Sequence, residues 1–538
     1  MFSESNLKDS VLRLGGNAEV FFRKASAVKK VKKRGHSKKK IVELKRYTED
    51  KILFHLPIEI NFNAGRMKNK RFNQEINKLL ARNSKDINII GIDRGEKNLL
   101  YYTVINQNGD ILEHGSLNEI NGVNYFTKLI QREIERRKNR QSWQPIVKIK
   151  NLKQGYISYV IHKITELIEK YNAIVVLEDL NMRFKQIRSG IERTIYQQFE
   201  KALIDKLGYL VFKDNRDPNS PGGVLNGYQL TAPFVPFQNI SKQTGILFYV
   251  NAEYTSKTDP LKGFRKNVYI SNSASQKKIV DFIKKCKAIG WDSEEQSYFF
   301  TYNPADFNKK ENSQEWTVFS KVPRIRREKN NQTGYWEAIP IDLNRKFEDL
   351  FKLWGFKDPK AANLKEVILE KEKMGELKGK KEFDRKERNF FQSFIYLFNL
   401  ILQTRNVFSL QVKKVDNGKH LEIDGGVDFF ASPVKPFFKT AAINRIYDEK
   451  GQIIKESLFK DINNKEIKEN FAGFESKFIT EESRKNLKNF DSDGVGAYNI
   501  ARKGIMILEK IRENPDNPGL FIPQEEWDKF VLKQRHNP

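Results

Sequence analysis

Residues 87–93, INIIGID, form an apolar run closed by a carboxylate, a pattern that predicts a strand. Two further extended runs follow, at 99–105 and 110–115. Between them lies Asn108-Gly109, the dipeptide that most favours a tight hairpin turn. AIVVLEDLN, 173–181, predicts a fourth strand ending in Glu178 and Asp179. YLVFKD (209–214) and GILFYV (245–250) predict two more. Elsewhere the apolar period lengthens. Ile157, Val160, Ile161, Ile164, Leu167 and Ile168 recur at helical spacing, so a helix runs to about Tyr171, and another is predicted over 190–207. A basic helix is predicted over 126–150, ending near Pro145. Upstream, KILFHLPIEINF (51–62) alternates like a strand, and 64–86 is a polar link. Residues 254–485 are charged and aromatic without a clear repeat and include a long helical stretch at 361–403, which predicts an inserted domain. DSDGVGAYNIARKGIMILEKI, 491–511, opens with acids and glycines. It continues as an amphipathic helix carrying Ile500, Ile505, Ile507, Leu508 and Ile511. A hairpin sheet extended by strand–helix–strand crossovers gives an α/β fold with a mixed sheet flanked by helices.

Composition sharpens this picture. A chain of 538 residues suggests about three or four domains, and 39% hydrophobic with 12% aromatic residues indicates a globular protein. Lys and Arg number 97 against 68 acids, a net charge of +29. That excess points to a polyanion partner, most often nucleic acid. Twelve of the basic residues fall within 23–46, a run that reads as a solvated loop, a localisation-like patch or a contact to an RNA backbone. The one cysteine, Cys286, excludes a disulfide framework and a cysteine-based zinc site within the chain. Six histidines show no paired metal spacing. With no long apolar span and no signal peptide, the expected location is the cytoplasm.

The acids in apolar surroundings carry the candidate chemistry. Asp93 closes the first strand, Glu178 the fourth, and Asp491 and Asp493 open the last helix, where Asp491 also suits an N-cap. If the first and fourth strands are adjacent, Asp93 and Glu178 share a cleft, and Gly494, Gly496 and Ala497 let the helix approach. Two like charges about 4 Å apart cost on the order of 4 kcal/mol at an effective dielectric near 20. Clustered carboxylates therefore need protons or cations. Oxygen donors without Cys or His favour Mg²⁺ or Mn²⁺. Two such ions roughly 4 Å apart suit phosphodiester hydrolysis.

GIDRGEKNLLYYTVI, NAIVVLEDLNMRFK, YQQFEKALIDKLGYLVFKD, GGVLNGYQLTAPF, TGILFYV, YTSKTDPLKGF and DSDGVGAYNIARKG closely resemble the type V-A CRISPR effector endonucleases, the Cas twelve-a or Cpf one family. The resemblance implies an RNase H-like RuvC nuclease domain split in three, with an inserted α+β Nuc domain and an N-terminal β-rich wedge remnant. Its implied boundaries are 1–75 for the wedge (oligonucleotide-binding-like), 85–130, 153–252 and 487–538 for the RuvC segments, 131–152 for the bridge helix and 253–486 for Nuc. Carried over by motif, Asp93, Glu178 and Asp493 are the catalytic, metal-holding carboxylates, with Asp491 the second choice for the third. Arg405 in LILQTRN assists cleavage, and Asp428 in GVDFFASPV is the matching Nuc acid. Arg132, Arg136 and Arg140 belong to the bridge helix, and Trp143 docks into the recognition lobe. Implied with these are two Mg²⁺ or Mn²⁺ ions, a CRISPR guide RNA, double- and single-stranded target DNA, and collateral cutting of single strands. LGGNAEVFFRKAS resembles the interior of the wedge, so the chain is expected to begin partway through a longer protein, without the recognition lobe. Glu43 stands where the family's remaining RNA-processing lysine is expected, with Lys45 near, so RNA processing does not carry over. Two alternatives stay open: a guide-independent or transposon-associated RuvC-like nuclease, and a basic nucleic-acid-binding fragment without turnover.

Overall fold

The computed structural model builds its largest sheet from six strands: β1 (Asn88–Asp93), β2 (Tyr101–Ile105), β3 (Ile111–Ser116), β4 (Ala173–Asp179), β5 (Gln243–Thr244) and β6 (Leu247–Asn251). The order is β5-β6-β4-β1-β2-β3. β6, β4 and β1 run parallel, while β2, β3 and β5 pair antiparallel with their neighbours. The structure describes residues 12–14, 18–25, 49–56, 58–60, 68–83, 86–94, 98–120, 122–142, 149–179, 190–212, 214–311, 313–322, 324–329, 336–384, 386–407, 411–415, 420–424, 428–430, 433–434, 444–447, 453–457 and 481–536. Contacts divide the chain into two units, 1–72 with 205–233, and 73–204 with 234–538.

The helices that matter here are α1 (Asn69–Arg82), α2 (Tyr125–Gln141), α3 (Lys150–Tyr171), α4 (Gly190–Gly208), α5 (Phe390–Ile401), α6 (Ser492–Glu513) and α7 (Gln524–His536). α3 ends on Asn172, which takes the left-handed conformation (φ 47°) and returns its N–H to Ile168 and Glu169. β4 then starts at the next residue. Gly109 supplies the positive φ (90°) that the turn between β2 and β3 requires. The mixed α/β sheet thus follows the predicted order.

Several expectations change. YLVFKD is not a sheet strand: it belongs to the first unit, where Leu210 makes an isolated bridge to Tyr228 and Phe212 N–H bonds Gly222. By contacts, residues 205–233 cluster with 1–72. KILFHLPIEINF divides into two short strands, Lys51–His55 and Ile58–Ile60, with different partners, and Pro57 lies between them. Strand pair Glu19–Arg23 and Lys51–His55 exposes Val20, Phe22, Ile52 and Phe54. The polar link contains α1, whose Asn77 and Leu80 are buried. The basic helix stops at Gln141, where Ser142 caps it.

The stretch 361–403 is two helices, Leu364–Lys373 and α5, separated by a hairpin of Lys381–Phe383 and Lys386–Arg388. Gly375 and Gly379 turn the chain between them with positive φ. α5 opens with a capping box of Asn389 and Gln392. It lies in an aromatic core of the inserted region, where Phe282, Phe300 and Phe347 pack against Phe394 and Phe398. Ring centroids are 4.7 Å apart for Phe282–Phe398 and 5.1 Å for Phe300–Phe398. Arg324, fully buried, donates to the Leu400 and Ile401 carbonyls at 2.8 and 2.9 Å and so closes the end of α5. Burial pulls its guanidinium down to about 9.

Candidate active site at the carboxyl end of the sheet

Asp93 and Glu178 stand at the ends of neighbouring parallel strands. The register pairs Ile92 with Leu177, so the next step sets Asp93 beside Glu178, roughly 5 Å apart at the backbone by ordinary sheet spacing. Side chains alternate along a strand, so Ile89, Gly91 and Asp93 share a face, as do Val176 and Glu178. α6 lies on that face. A methyl group on Gly504 would meet Ile89 at 2.6 Å and Val176 at 2.9 Å. One on Gly91 would meet the Ala497 carbonyl at 2.2 Å, and one on Gly496 would meet Asp93 Oδ2 at 2.3 Å. The contacts advance toward the helix N-terminus as the strands approach their carboxyl ends. α6 is therefore antiparallel to β1 and β4, and its first turn meets Asp93.

That first turn carries the other two acids. Asp491 is the N-cap, accepting from Gly494 N–H at 2.9 Å. Asp493 sits inside the turn, 1% exposed, against 5% for Asp93 and 7% for Glu178. A helix N-terminus stabilises negative charge. Asn98 reaches across from the start of the hairpin: its backbone and side-chain amides both donate to Asp493 Oδ2 at 2.9 Å, and its side chain donates to Asp491 at 3.3 Å. Ser116 in turn donates to Asn98 Oδ1 at 2.6 Å. Burial pushes the Tyr101 phenol well above its usual range, and the charges of Asp491 and Asp493 push it further.

Glu178 is held from two sides. Thr255 Oγ1 donates to its Oε1 at 2.5 Å. Arg94, buried beside Asp93, donates to its backbone carbonyl, lies 3.5 Å from Glu200 and sits 5.8 Å over the Tyr196 ring of α4. Burial raises the Glu200 carboxyl, with Arg94 opposing. Lys503 of α6 is 2% exposed and donates to the Asn251 carbonyl at 2.5 Å. Burial draws its ammonium down to about 8, against the pull of Glu178, Glu253 and Asp528.

The carboxylates thus gather at one end of the sheet, with Asn98 donating to Asp491 and Asp493 and Thr255 to Glu178. Among the described residues, no three Asp, Glu, His or Cys side chains are close enough to hold one ion. The donor types still fit hard divalent cations: buried carboxylate oxygens at one end of the sheet, where Gly496 lets α6 approach Asp93 closely.

The family model describing the RuvC nuclease domain matches residues 66–536. This chain belongs to the RuvC nuclease domain family. Its activity class is accordingly that of a nuclease, a hydrolase, and its mixed sheet flanked by helices is the RNase H-like α/β fold. Within the RuvC domain the first and fourth predicted strands are adjacent and the last helix closes over them, as the acidic pattern requires.

Of the remaining predicted residues, those on the Asp428 strand pack against α6, and others lie beyond description. Arg405 and Asp428 occupy paired strands, Arg405–Val407 and Asp428–Phe430, with Arg405 opposite Phe430 and Asp428 opposite Val407. Arg132, Arg136 and Arg140 follow one another at four-residue spacing on α2, where Arg132 pairs with Glu135 at 3.0 Å and Arg136 with Glu133 at 3.6 Å. Trp143, Glu43, Lys45 and most of the 23–46 run lie outside the described residues. Among the described residues no helix is long and apolar enough to cross a membrane. Nothing in the sequence singled out Asn98, Thr255, Arg94, Asn499 or Lys503. Asn98 and Thr255 sit in polar stretches where several neighbours offer the same chemistry, and only the fold selects which of them faces an acid.

Proposed function

We propose that this chain is the catalytic portion of a CRISPR RNA-guided DNA endonuclease of type V-A, cutting both target strands, and collateral single strands, at one RuvC site. In this reading 85–130, 153–252 and 487–538 are the RuvC segments, 131–152 the bridge helix, 253–486 the Nuc insert and 1–75 part of the wedge. Asp93, Glu178 and Asp493 would hold Mg²⁺ or Mn²⁺, which when bound would activate water and neutralise charge on the leaving oxygen. Asn98 keeps Asp493 facing the sheet, and Thr255 fixes Glu178. Arg405 grips the scissile strand through its guanidinium, and Asp428 lies across the strand pair from it. Arg132, Arg136 and Arg140 contact nucleic-acid backbone. Guide pairing supplies sequence specificity, and Trp143 docks into a recognition lobe. The enzyme works in the cytoplasm.

The observation that carries the reading is the register that sets Asp93 beside Glu178 beneath the acidic first turn of α6. The test is Mg²⁺-dependent cleavage of labelled single-stranded DNA by the chain supplied with guide RNA and recognition lobe, wild type against Asp93→Ala. Cutting by the wild type alone is expected. Equal cutting by both, or none by either, ends the reading.

A further inference from the structure

Residues 254–260 join segments that are distant in sequence. Thr255, 2% exposed, donates its hydroxyl to Glu178. Its carbonyl accepts from Asn499 Nδ2 at 2.8 Å, and the same amide donates to the Thr258 carbonyl at 2.9 Å. Arg502 donates to the Pro260 carbonyl at 3.1 Å. Both Asn499 and Arg502 belong to α6, the helix that carries Asp493. On the other side, Thr404 Oγ1 donates to the Lys257 carbonyl at 2.8 Å. Thr404 directly precedes Arg405 and follows the end of α5 that Arg324 fixes. The turn starts from Tyr254, which holds a left-handed φ of 59°. For a bulky residue that conformation persists only where its surroundings enforce it. Arg265 packs there, 4.6 Å over the Tyr254 ring and itself held by Glu311 at 2.8 Å and Asp528 at 2.9 Å.

We infer that Thr255 is a positioning residue for Glu178, and that the turn 254–259 sets both Glu178 and the Arg405 strand from one support anchored on α6; the inference rests on the metal-dependent nuclease reading. A β-branched side chain is stiff about its first torsion, and a backbone tied down by Asn499 fixes where the hydroxyl points. With one carboxylate oxygen engaged, the plane of the Glu178 carboxylate is set, and the orientation of its second oxygen with it. Partners of this outer kind govern how well a carboxylate holds a cation. Thr404 has a separate task. It locates the strand of Arg405 and touches no carboxylate in the cluster.

The two roles predict different losses. Mn²⁺ binding to the full chain is measured by electron paramagnetic resonance, together with thermal midpoints and the rate of single-stranded DNA cleavage at saturating Mg²⁺. Glu178→Gln serves as the reference. Thr255→Val, which keeps shape and loses the hydroxyl, weakens Mn²⁺ binding by about tenfold or more, and Thr255→Ser restores it. Thr404→Val leaves Mn²⁺ binding unchanged and slows cleavage by roughly tenfold, within the reach of a small displacement of an assisting group. Wild-type Mn²⁺ affinity in Thr255→Val overturns the inference. So does equal loss in the Val and Ser variants with matching falls in thermal midpoint, because that is a packing effect alone. If wild type and Glu178→Gln bind Mn²⁺ alike, the metallonuclease reading fails first and the inference falls with it.

Discussion

Gly91, Gly496 and Gly504 let α6 settle on the sheet with no room for a methyl group, and one end of that seam carries the carboxylates. The inserted region uses the opposite material: Phe282, Phe300, Phe347, Phe390, Phe394 and Phe398 fill it ring against ring, and its buried Arg324 spends its donors on helix carbonyls. Apolar burial dominates in the aromatic region. The carboxylate end buries charge that apolar packing disfavours, and close backbone approach, a helix N-terminus and dedicated amide and hydroxyl donors offset that cost. One region is optimised to exist, the other to hold groups that would otherwise repel.

The sharpest way to test that division is Asp93→Ala. Cleavage in the assay above should fall by roughly a thousandfold, the rate equivalent of several kcal/mol of lost charge stabilisation. The thermal midpoint should not drop, because a buried charge is removed and not a packing group. Phe300→Ala should do the reverse: about 3–5 kcal/mol of stability lost by urea denaturation, with Mn²⁺ affinity at the carboxylate end retained. Gly91→Ala tests the seam between the two principles. Its new methyl group meets backbone that cannot step aside, so about 1–3 kcal/mol of stability and Mn²⁺ binding should be lost together.

The smallest effect belongs to Glu113. Burial raises its carboxyl, but hydrogen bonds from Lys170, Tyr102, Lys163 and Tyr171 outweigh this and hold it at about 2, from an ordinary 4.5. A depressed folded value means the unfolded chain binds the proton first. The stabilisation is complete above about 4.5 and disappears as the pH falls from there toward 2. Urea midpoints of wild type and Glu113→Gln should differ at pH 7, and the gap should narrow at pH 3 and close only near pH 2.

The central sheet was legible because its signals are local: INIIGID and AIVVLED are apolar throughout, and Asn108-Gly109 can hardly be anything but a turn. Asp491 as a helix cap and Asp493 inside the first turn were legible for the same reason. YLVFKD misled because apolar content does not say which neighbour completes a strand, and Leu210 found Tyr228 instead of the sheet. The stretch 361–403 looked continuous because its two helices have similar period, while the break depends on positive φ at Gly375 and Gly379. Thr255 was beyond reach from sequence: its function depends on Asn499, more than two hundred residues away, fixing its carbonyl.

The third acid, Gly496 and Gly504 follow Asp93 and Glu178 in chain order, separated from them by the inserted region. During synthesis, which proceeds from the amino terminus, the ribosome therefore releases a sheet whose α6-facing side is bare and whose acids lack their third member. Until α6 emerges and docks, Asp93 and Glu178 stand on an open sheet face.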